Sequence, residues 1–535
     1  MLLVPGFIIA LLLTMLMLPL LMRFADVLGL VDHPGERKVH LDDIPRSGGI
    51  AIVIGFFGAV LVLLPANGQL LALYAGALVV VIFALLDDRG GLRYQWKFLG
   101  QILAVLVLMS GGIVIDHLPF TPVQYSAPWL SYGLTFLFLL GSINAVNLSD
   151  GLDGLAAGIS LLSLSLLLLL AYQCGNNEVA FLSMAVVGGL IGFLRYNTFP
   201  ARIFLGDTGS QFVGLMLASL AIMLTQSNSP YSPMLPLLML GLPILDTLSV
   251  MAIRLYHGKS PFAADSNHIH HQIIRLGLFH YEVVALLYLL QIVLVLAAYV
   301  LRFQSDALIL VFYAALAALV TGCLGVMRRR GARFRAKANQ DPVDRRNLFF
   351  RRFAWFYEHS TVLLQWALAL FLLQTCFYVD GIDDSHRNFA NWVVAGLLVA
   401  WILLRKHERL LASLCTYVAS ITLVYLVAVA DGESYSHWLV DGYLAAILVL
   451  LLVSIRMTRK SEFRLDTRDL LVLFLVLAAS QLPIAKFSEV PMGPFALRLA
   501  ILLYVSEYLL NRVDCNYRFL TGTSVLAIGL LAWFG

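Results

Sequence analysis

The chain has 535 residues, 60% of them hydrophobic and 13% charged, against about 45–50% and about 25% in soluble globular chains. That balance excludes an ordinary soluble domain and describes a polytopic membrane protein. The formal net charge of +4 is distributed so unevenly that it reports topology, and it makes no case for nucleic acid as a partner.

Apolar runs of membrane-spanning length are expected near residues 3–22, 47–65, 70–86, 98–115, 128–145, 154–172, 178–194, 205–225, 233–253, 281–300 and 306–326. Further runs are expected near 360–379, 389–404, 410–430, 437–455, 469–485, 494–511 and 518–534. The total is about eighteen transmembrane helices, an all-α polytopic integral membrane protein.

If the spans alternate, one side receives all of the 36 Lys and Arg except Arg302, Arg387, Lys486 and Arg498. The opposite loops carry Asp380, Asp383, Asp384, Asp431 and Glu433. Cytoplasmic loops hold the excess of Lys and Arg, so the basic side is expected to be cytoplasmic, with both termini on the other side. No basic segment precedes the first apolar run and no small-residue cleavage site is evident, so a removed signal peptide is not expected. Cys174, Cys323, Cys376, Cys415 and Cys515 are far apart and form no CxxC pair, a pattern of buried apolar thiols and not of zinc or disulfides.

With this topology every polar constellation of the first 327 residues faces the same side. The first loop carries Arg37, Lys38 and His40, then Pro45-Arg46-Ser47-Gly48-Gly49. Its basic cluster suits a phosphate, and Gly48-Gly49 opens a helix whose free N–H groups are expected to bind anions. The third span ends in Asp87-Asp88, followed by Arg89, Arg93 and Lys97. Adjacent carboxylates repel unless a cation or a proton relieves them.

The most informative segment is Asn144-Ala145-Val146-Asn147-Leu148-Ser149-Asp150-Gly151-Leu152-Asp153-Gly154. A plain Gly/Asp turn is the simplest reading, but ionisable groups cost about 2.5–3.5 kcal/mol at membrane depth, which makes them functional candidates. Asn147, Asp150 and Asp153 recur every third residue and are expected on one face of a helical segment. That face suits a cation and phosphates.

Next come Phe204-Leu205-Gly206-Asp207-Thr208-Gly209-Ser210, with Asp207 placed for a hard cation, and Pro243-Ile244-Leu245-Asp246. The last region is Asn267-His268-Ile269-His270-His271. Its histidines suit zinc poorly without a neighbouring Cys or further His. Solvated loop residues are a second reading, and a donor loop that contacts an anionic substrate and carries protons near neutral pH is the favoured one. Together, clustered carboxylates and cationic donors suit magnesium and a diphosphate, and the membrane boundary suits one lipid-soluble and one water-soluble substrate.

In these motifs the chain resembles the polyprenyl-phosphate N-acetylhexosamine-1-phosphate transferases. The matching segments, in family order, are RKVH with PRSGG, the Asp87-Asp88 pair, NAVNLSDGLDGLAAG, FLGDTGS, PILDT and NHIHH, within residues 31–271. The resemblance implies transfer of an N-acetylhexosamine 1-phosphate, GlcNAc favoured, from a UDP-sugar to undecaprenyl phosphate. The products are undecaprenyl-diphosphate-sugar and UMP, the initiating step of cell-surface glycan synthesis such as O-antigen. It further implies a magnesium-dependent phosphoglycosyltransferase of the bacterial inner membrane with a cytoplasmic active site, manganese being the alternative metal.

By motif position, Asp207 is the expected direct metal ligand, joined by Asp150. Catalytic roles fall to Asp87, Asp88, Asp150, Asp153, His268, His270 and His271. Substrate binding falls to Arg37, Lys38, His40, Lys97, Asn144, Asn147 and Asp246. Partners in the bilayer are the lipid acceptor, a homodimer copy and downstream glycosyltransferases. One departure is Ala264-Asp265-Ser266, where relatives commonly carry Pro-Asp-Arg, which removes a fixed cation and bears on the choice of sugar.

The family-like core is expected over 1–327, a basic cytoplasmic loop over 328–358, and an extension without recognised motifs over 359–535. Two other readings stay open at this stage. One is a phospho-MurNAc-pentapeptide transferase-like enzyme. The other is a secondary transporter, although such transporters show related halves and the acidic motifs here have no counterpart in the second half.

Overall fold

The computed structural model describes residues 3–32, 43–121, 128–226, 229–260, 268–331, 354–375, 384–405, 407–429, 436–457, 486–487, 490–510, 512 and 515–534. The chain divides into two compact units, Leu2–Ala338 and Asn339–Gly535.

In the first unit the helices are α1 (Leu3–Leu28), α2 (Gly48–Leu63), α3 (Gly68–Gly90), α4 (Tyr94–Ser110), α5 (Pro128–Leu148), α6 (Leu155–Gln173) and α7 (Asn177–Asn197). They continue with α8 (Gly206–Gln226), α9 (Leu235–Met239), α10 (Gly241–Tyr256), α11 (Ile269–Arg275), α12 (His280–Leu301) and α13 (Asp306–Arg329). The second unit contains α14 (Ala354–Thr375), α15 (Asp384–Leu404), α16 (Glu408–Val429), α17 (Ser436–Met457), α18 (Met492–Leu510) and α19 (Tyr517–Phe534). Strands are confined, among the described residues, to two-residue antiparallel pairs, Val31–Asp32 with Ile44–Pro45 and Lys486–Phe487 with Val490–Pro491.

Among the described residues ten helices are long and apolar enough to cross a membrane, and shorter apolar helices lie at Gly48–Leu63, Thr361–Thr375, Val440–Leu452 and Tyr517–Leu531. This is a multi-pass, all-α membrane protein. A helix stands at each expected apolar run, except near 469–485, which lies outside the described residues, and at the ninth run, which is broken.

The break has a covalent cause. Pro243 has no N–H to donate back to the Met239 carbonyl, and at membrane depth that oxygen must find another donor. Ser163 Oγ at 2.7 Å and Gln291 Nε2 at 2.9 Å both donate to it. The chain therefore turns at Leu240, between α9 and α10, without an unsatisfied carbonyl there.

α8 is buried along its whole length and is surrounded by α2, α3, α5, α6 and α7. Small residues let helices close to backbone contact: a Cβ on Gly49 of α2 would lie 2.1 Å from the Gly209 nitrogen of α8. Polar pairs then sort the helix ends. At one end Asn67 Nδ2 donates to Glu178 Oε1 (2.9 Å), the His117 N–H to Gln226 Oε1 (2.7 Å) and the Phe120 N–H to Asp306 Oδ2 (2.9 Å). The motif residues meet at the other.

Among the described residues of the second unit α16 is heavily buried, packed by α15, α18 and α19.

Candidate active site

The site is built on the first turn of α8. Gly206 takes φ +71°, a conformation that L side chains rarely adopt, and a Cβ there would meet the Arg46 carbonyl oxygen at 2.5 Å and Asp88 Oδ2 at 2.9 Å. This approach lets the Asp88 carboxylate cap the helix. It accepts from the Asp207 N–H (2.8 Å), the Thr208 N–H (2.8 Å) and Thr208 Oγ1 (2.6 Å), satisfying donors that every helix N-terminus leaves open.

Asp87 has different partners. Its Oδ1 accepts from the Leu92 N–H at 2.7 Å, and its Oδ2 lies 3.1 Å from Lys97 Nζ. The same ammonium pairs with Asp207 Oδ2, so one Lys on α4 ties the end of α3 to the start of α8. Asn147 Nδ2 from α5 donates to Asp207 Oδ1 at 2.8 Å and lies 2.8 Å from Ser210 Oγ.

One turn deeper is a second polar layer. Asn144 Nδ2 donates to Gln101 Oε1 at 2.8 Å, and Gln101 Nε2 donates to Gln211 Oε1 at 3.0 Å. Gln101 and Gln211 follow Lys97 and Asp207 by four residues, the spacing that keeps two side chains on one helix face. Asn144 is thus occupied in holding Gln101.

The expected single face of Asn147, Asp150 and Asp153 is not what forms. α5 ends at Leu148, and a turn carries Asp150 and Asp153 before α6 begins at Leu155. Asp153 Oδ2 accepts from the Ala201 N–H at 2.9 Å, and the Asp153 N–H donates to His280 Nε2 at 3.2 Å. Asp150 is left over: no hydrogen-bond donor among the described residues meets its carboxylate. Burial pushes its carboxyl up to about 8, and the charges of Asp207, Asp88 and Asp153 push the same way.

A second correction concerns Gly48-Gly49. Their N–H groups are not free for an anion, because they donate to the Phe204 and Leu205 carbonyls at 3.0 and 2.9 Å. The Phe204 N–H donates in turn to the Pro45 carbonyl at 2.7 Å. This pairing fastens the PRSGG segment to the turn before α8. Arg46 pairs with Asp32. Arg37, Lys38 and His40 lie outside the described residues, as do Ala264, Asp265 and Ser266.

The histidine loop folds onto the same end. Asp246 on α10 is buried; its Oδ2 accepts from His268 Nδ1 at 2.8 Å and its Oδ1 from the Ile269 N–H at 2.6 Å. It braces the loop. The His268 and His270 rings stack at 5.6 Å with 12° between planes, and His270 lies 4.2 Å from His271. Gly151 leaves room for this arrangement, since a Cβ there would lie 2.4 Å from His270 Nε2. That nitrogen is buried without a hydrogen-bond partner among the described residues. Burial holds the His270 imidazole down to about 4, with His271 adding to the effect, so His270 itself rests neutral at pH 7.

Gln101, Thr208, Ser210, Gln211 and His280 were not singled out from sequence. For the two glutamines a signal existed, a polar residue four positions from a charged one inside an apolar run. For His280, which stacks on Phe199 at 4.4 Å, none did.

Among the described residues no group of three His, Cys, Asp or Glu is close enough to hold a metal by itself. Magnesium does not require one, because it takes one or two carboxylates and completes its shell with water and substrate phosphates. The unmet Asp150 carboxylate, and an Asp207 that already faces a cation, fit that mode.

A family model described as glycosyl transferase family 4 matches residues 70–225. A Bacillus subtilis (strain 168) protein named probable undecaprenyl-phosphate N-acetylglucosaminyl 1-phosphate transferase is 36% identical over 333 residues, covering 60% of this chain and 92% of the relative. The decaprenyl-phosphate N-acetylglucosaminephosphotransferase of Mycobacterium tuberculosis (strain ATCC 25618 / H37Rv) is 34% identical over 306 residues, 50% of this chain and 74% of its own. The undecaprenyl-phosphate alpha-N-acetylglucosaminyl 1-phosphate transferase of Escherichia coli (strain K12) is 31% identical over 266 residues, 48% and 72% of the two chains.

Proposed function

The chain belongs to glycosyl transferase family 4, and from that membership we propose that it transfers N-acetylglucosamine 1-phosphate from a UDP-sugar to undecaprenyl phosphate. The reaction starts a cell-surface glycan at the cytoplasmic face of the bacterial inner membrane. In this reading residues 1–327 carry the activity and 359–535 are a membrane extension. The observation that supports it best is the Lys97 ammonium holding Asp87 and Asp207 together beside Asn147, because it joins separate motifs into one anion- and cation-binding centre.

A non-bridging oxygen of the lipid phosphate attacks the β-phosphorus of the UDP-sugar. A new P–O bond forms, the bond to the α–β bridging oxygen breaks, and that oxygen departs on UMP. The acceptor needs little help from a base, since a phosphate monoester has a second pKa near 6 and is largely a dianion at pH 7. Bringing two anions together is the difficulty, and positioned positive charge addresses it.

Lys97 supplies a point charge whose place is set by Asp87 and Asp207. Asp246 accepts from His268 Nδ1 and so keeps that ring in one orientation towards an arriving diphosphate. His270, buried beside Gly151 with a bare Nε2, has a partner to gain from the substrate. Asp88 acts through the helix it caps. Magnesium, with manganese as the alternative, belongs to the proposal, held by Asp207 and Asp150. When bound it supplies Lewis acidity and charge neutralisation at the β-phosphate.

The test is transfer of labelled UDP-GlcNAc and UDP-GalNAc to undecaprenyl phosphate by purified protein, with and without magnesium, beside Asp207→Asn. Magnesium-dependent lipid product that the variant fails to make is the expected result. Product that survives metal chelation, or equal product from Asp207→Asn, would overturn the assignment of the centre.

A further inference from the structure

The turn between α5 and α6 carries Asp150 and Asp153, and it is tied at both ends. On the α5 side the Ser149 N–H donates to the Ala145 carbonyl at 3.1 Å and the Asp150 N–H to the Asn147 carbonyl at 3.2 Å. On the α6 side the ties come from distant parts of the chain. The Gly154 N–H donates to Asn197 Oδ1 at 2.9 Å, and the Gly154 carbonyl accepts from the Tyr288 hydroxyl at 2.7 Å. With His280 on the Asp153 N–H, α12 holds two successive residues of the turn.

We propose that Tyr288 and His280 are positioning residues of the transferase centre: from α12 they clamp the turn at Asp153 and Gly154 and so hold Asp150 against the repulsion of Asp88 and Asp207. The inference rests on the transferase reading and adds α12 to the parts that the reaction uses.

Asp150 feels the charges of Asp207, Asp88 and Asp153, and no donor among the described residues meets its carboxylate. Like charges on a mobile backbone move apart; a turn fixed on both sides keeps them together for a cation and a diphosphate to share. The Tyr288 hydroxyl is placed for that task. Tyr288 is buried, and it reaches α6 only because residue 158 is glycine, where a Cβ would lie 2.0 Å from the hydroxyl oxygen. The Gly154 carbonyl also accepts from the Gly158 N–H at 2.9 Å, so α6 does not need the hydroxyl to satisfy that oxygen. What the hydroxyl adds is the place of the turn relative to α12.

The same unit contains a matched bond away from the carboxylates. Tyr313 of α13 is also buried, and its hydroxyl donates to the Gly241 carbonyl of α10 at 2.9 Å. Loss of either hydroxyl removes one buried Tyr-to-Gly hydrogen bond. Only the loss at Tyr288 frees the turn.

The experiment compares Tyr288→Phe and Tyr313→Phe in the purified full chain in phosphatidylcholine nanodiscs, by melting, by hydrogen exchange of the amides of residues 149–154, and by transfer kinetics. Both variants should melt lower by a similar amount. Tyr288→Phe alone should speed exchange at the turn and lower kcat about tenfold, with KM for both substrates within about twofold of the parent. His280→Gln, which keeps an acceptor for the Asp153 N–H, should retain more of kcat than His280→Leu.

Parental kcat in Tyr288→Phe, or an equal loss in Tyr313→Phe, would reduce Tyr288 to a packing residue and overturn the clamp. Unchanged exchange at the turn would overturn it as well. The His280 pair decides the point without touching the buried hydroxyl, since equal kcat in those two variants would remove His280 from the clamp. Faster exchange at the turn in a chain that transfers from no nucleotide sugar would sink the reaction and leave the clamp standing.

Discussion

Both units bury polar side chains among apolar helices, and they treat them in opposite ways. In Asn339–Gly535 the partners compensate each other. Arg498 makes a two-point contact with Asp441 at 2.7 and 3.1 Å, Gln365 Nε2 donates to the Asn516 carbonyl at 2.9 Å, and Tyr417 pairs with Glu507. In Leu2–Ala338, Asp87, Asp88, Asp150 and Asp207 gather at one end, Lys97 serves two of them, and Asp150 has no donor among the described residues. A buried charge that is paired can be structural. One left unpaired beside like charges costs stability and persists where binding or chemistry needs it.

The largest effect expected from this contrast is at Asp207. Asp207→Asn keeps the shape of the side chain and removes the charge that Lys97 and Asn147 hold in place, so the transfer rate should fall about 10²–10³-fold. A loss under about threefold would make the centre as structural as the second unit.

Asp150→Asn should also lower transfer, by about 10²-fold, yet melt higher than the parent. The sign follows from linkage: a carboxyl whose folded pKa stands near 8, against 3.8 for the free group, binds more protons folded than unfolded. The penalty is absent at about pH 4, grows as pH rises, and is complete above about pH 8. The difference in melting temperature should therefore be widest at pH 8 and vanish at pH 4. For the parent, transfer should rise towards pH 8 as the carboxyl loses its proton. Added magnesium should move that limb to lower pH, since cation and proton compete for one carboxylate.

Gly151→Ala tests the histidine loop. The added Cβ would meet His270 at 2.4 Å, and a displacement of about 1 Å in a reacting group can cost about 10² in rate. Transfer should drop by that order with little change in melting. Loss of folding instead would place Gly151 in the scaffold alone.

The smallest effect on activity is expected at Arg498. Arg498→Met strands Asp441, which is half in solvent, so the cost is below the about 3–5 kcal/mol of a fully buried pair. Arg498→Met with Asp441→Leu should regain most of that stability, and both proteins should transfer at the parent rate. An activity loss in the double variant would give the extension a share in catalysis.

Much of this was legible beforehand. The apolar runs predicted helices at the right places because spanning length is set locally, by the number of apolar residues a bilayer demands. The acidic motifs identified the residues of the centre for a similar reason, since carboxylates at span ends are too costly to be casual. The ninth run misled because hydropathy counts Pro243 and ignores its missing N–H. Asn147, Asp150 and Asp153 misled because a three-residue spacing implies one face only while the helix continues, and this one stops at Leu148.

The sequence by itself thus determined the solvent of this protein and the order of its apolar elements. Tertiary structure decided the task of each carboxylate. Asp87 and Asp88 are neighbours of identical chemistry, yet one faces Lys97 and the other caps α8. No spacing along the chain distinguishes them. Their difference arises from the close packing of α3 on α8 and the φ of Gly206, which bring one carboxylate to the open N–H groups of a helix and leave its neighbour at the mouth of the centre.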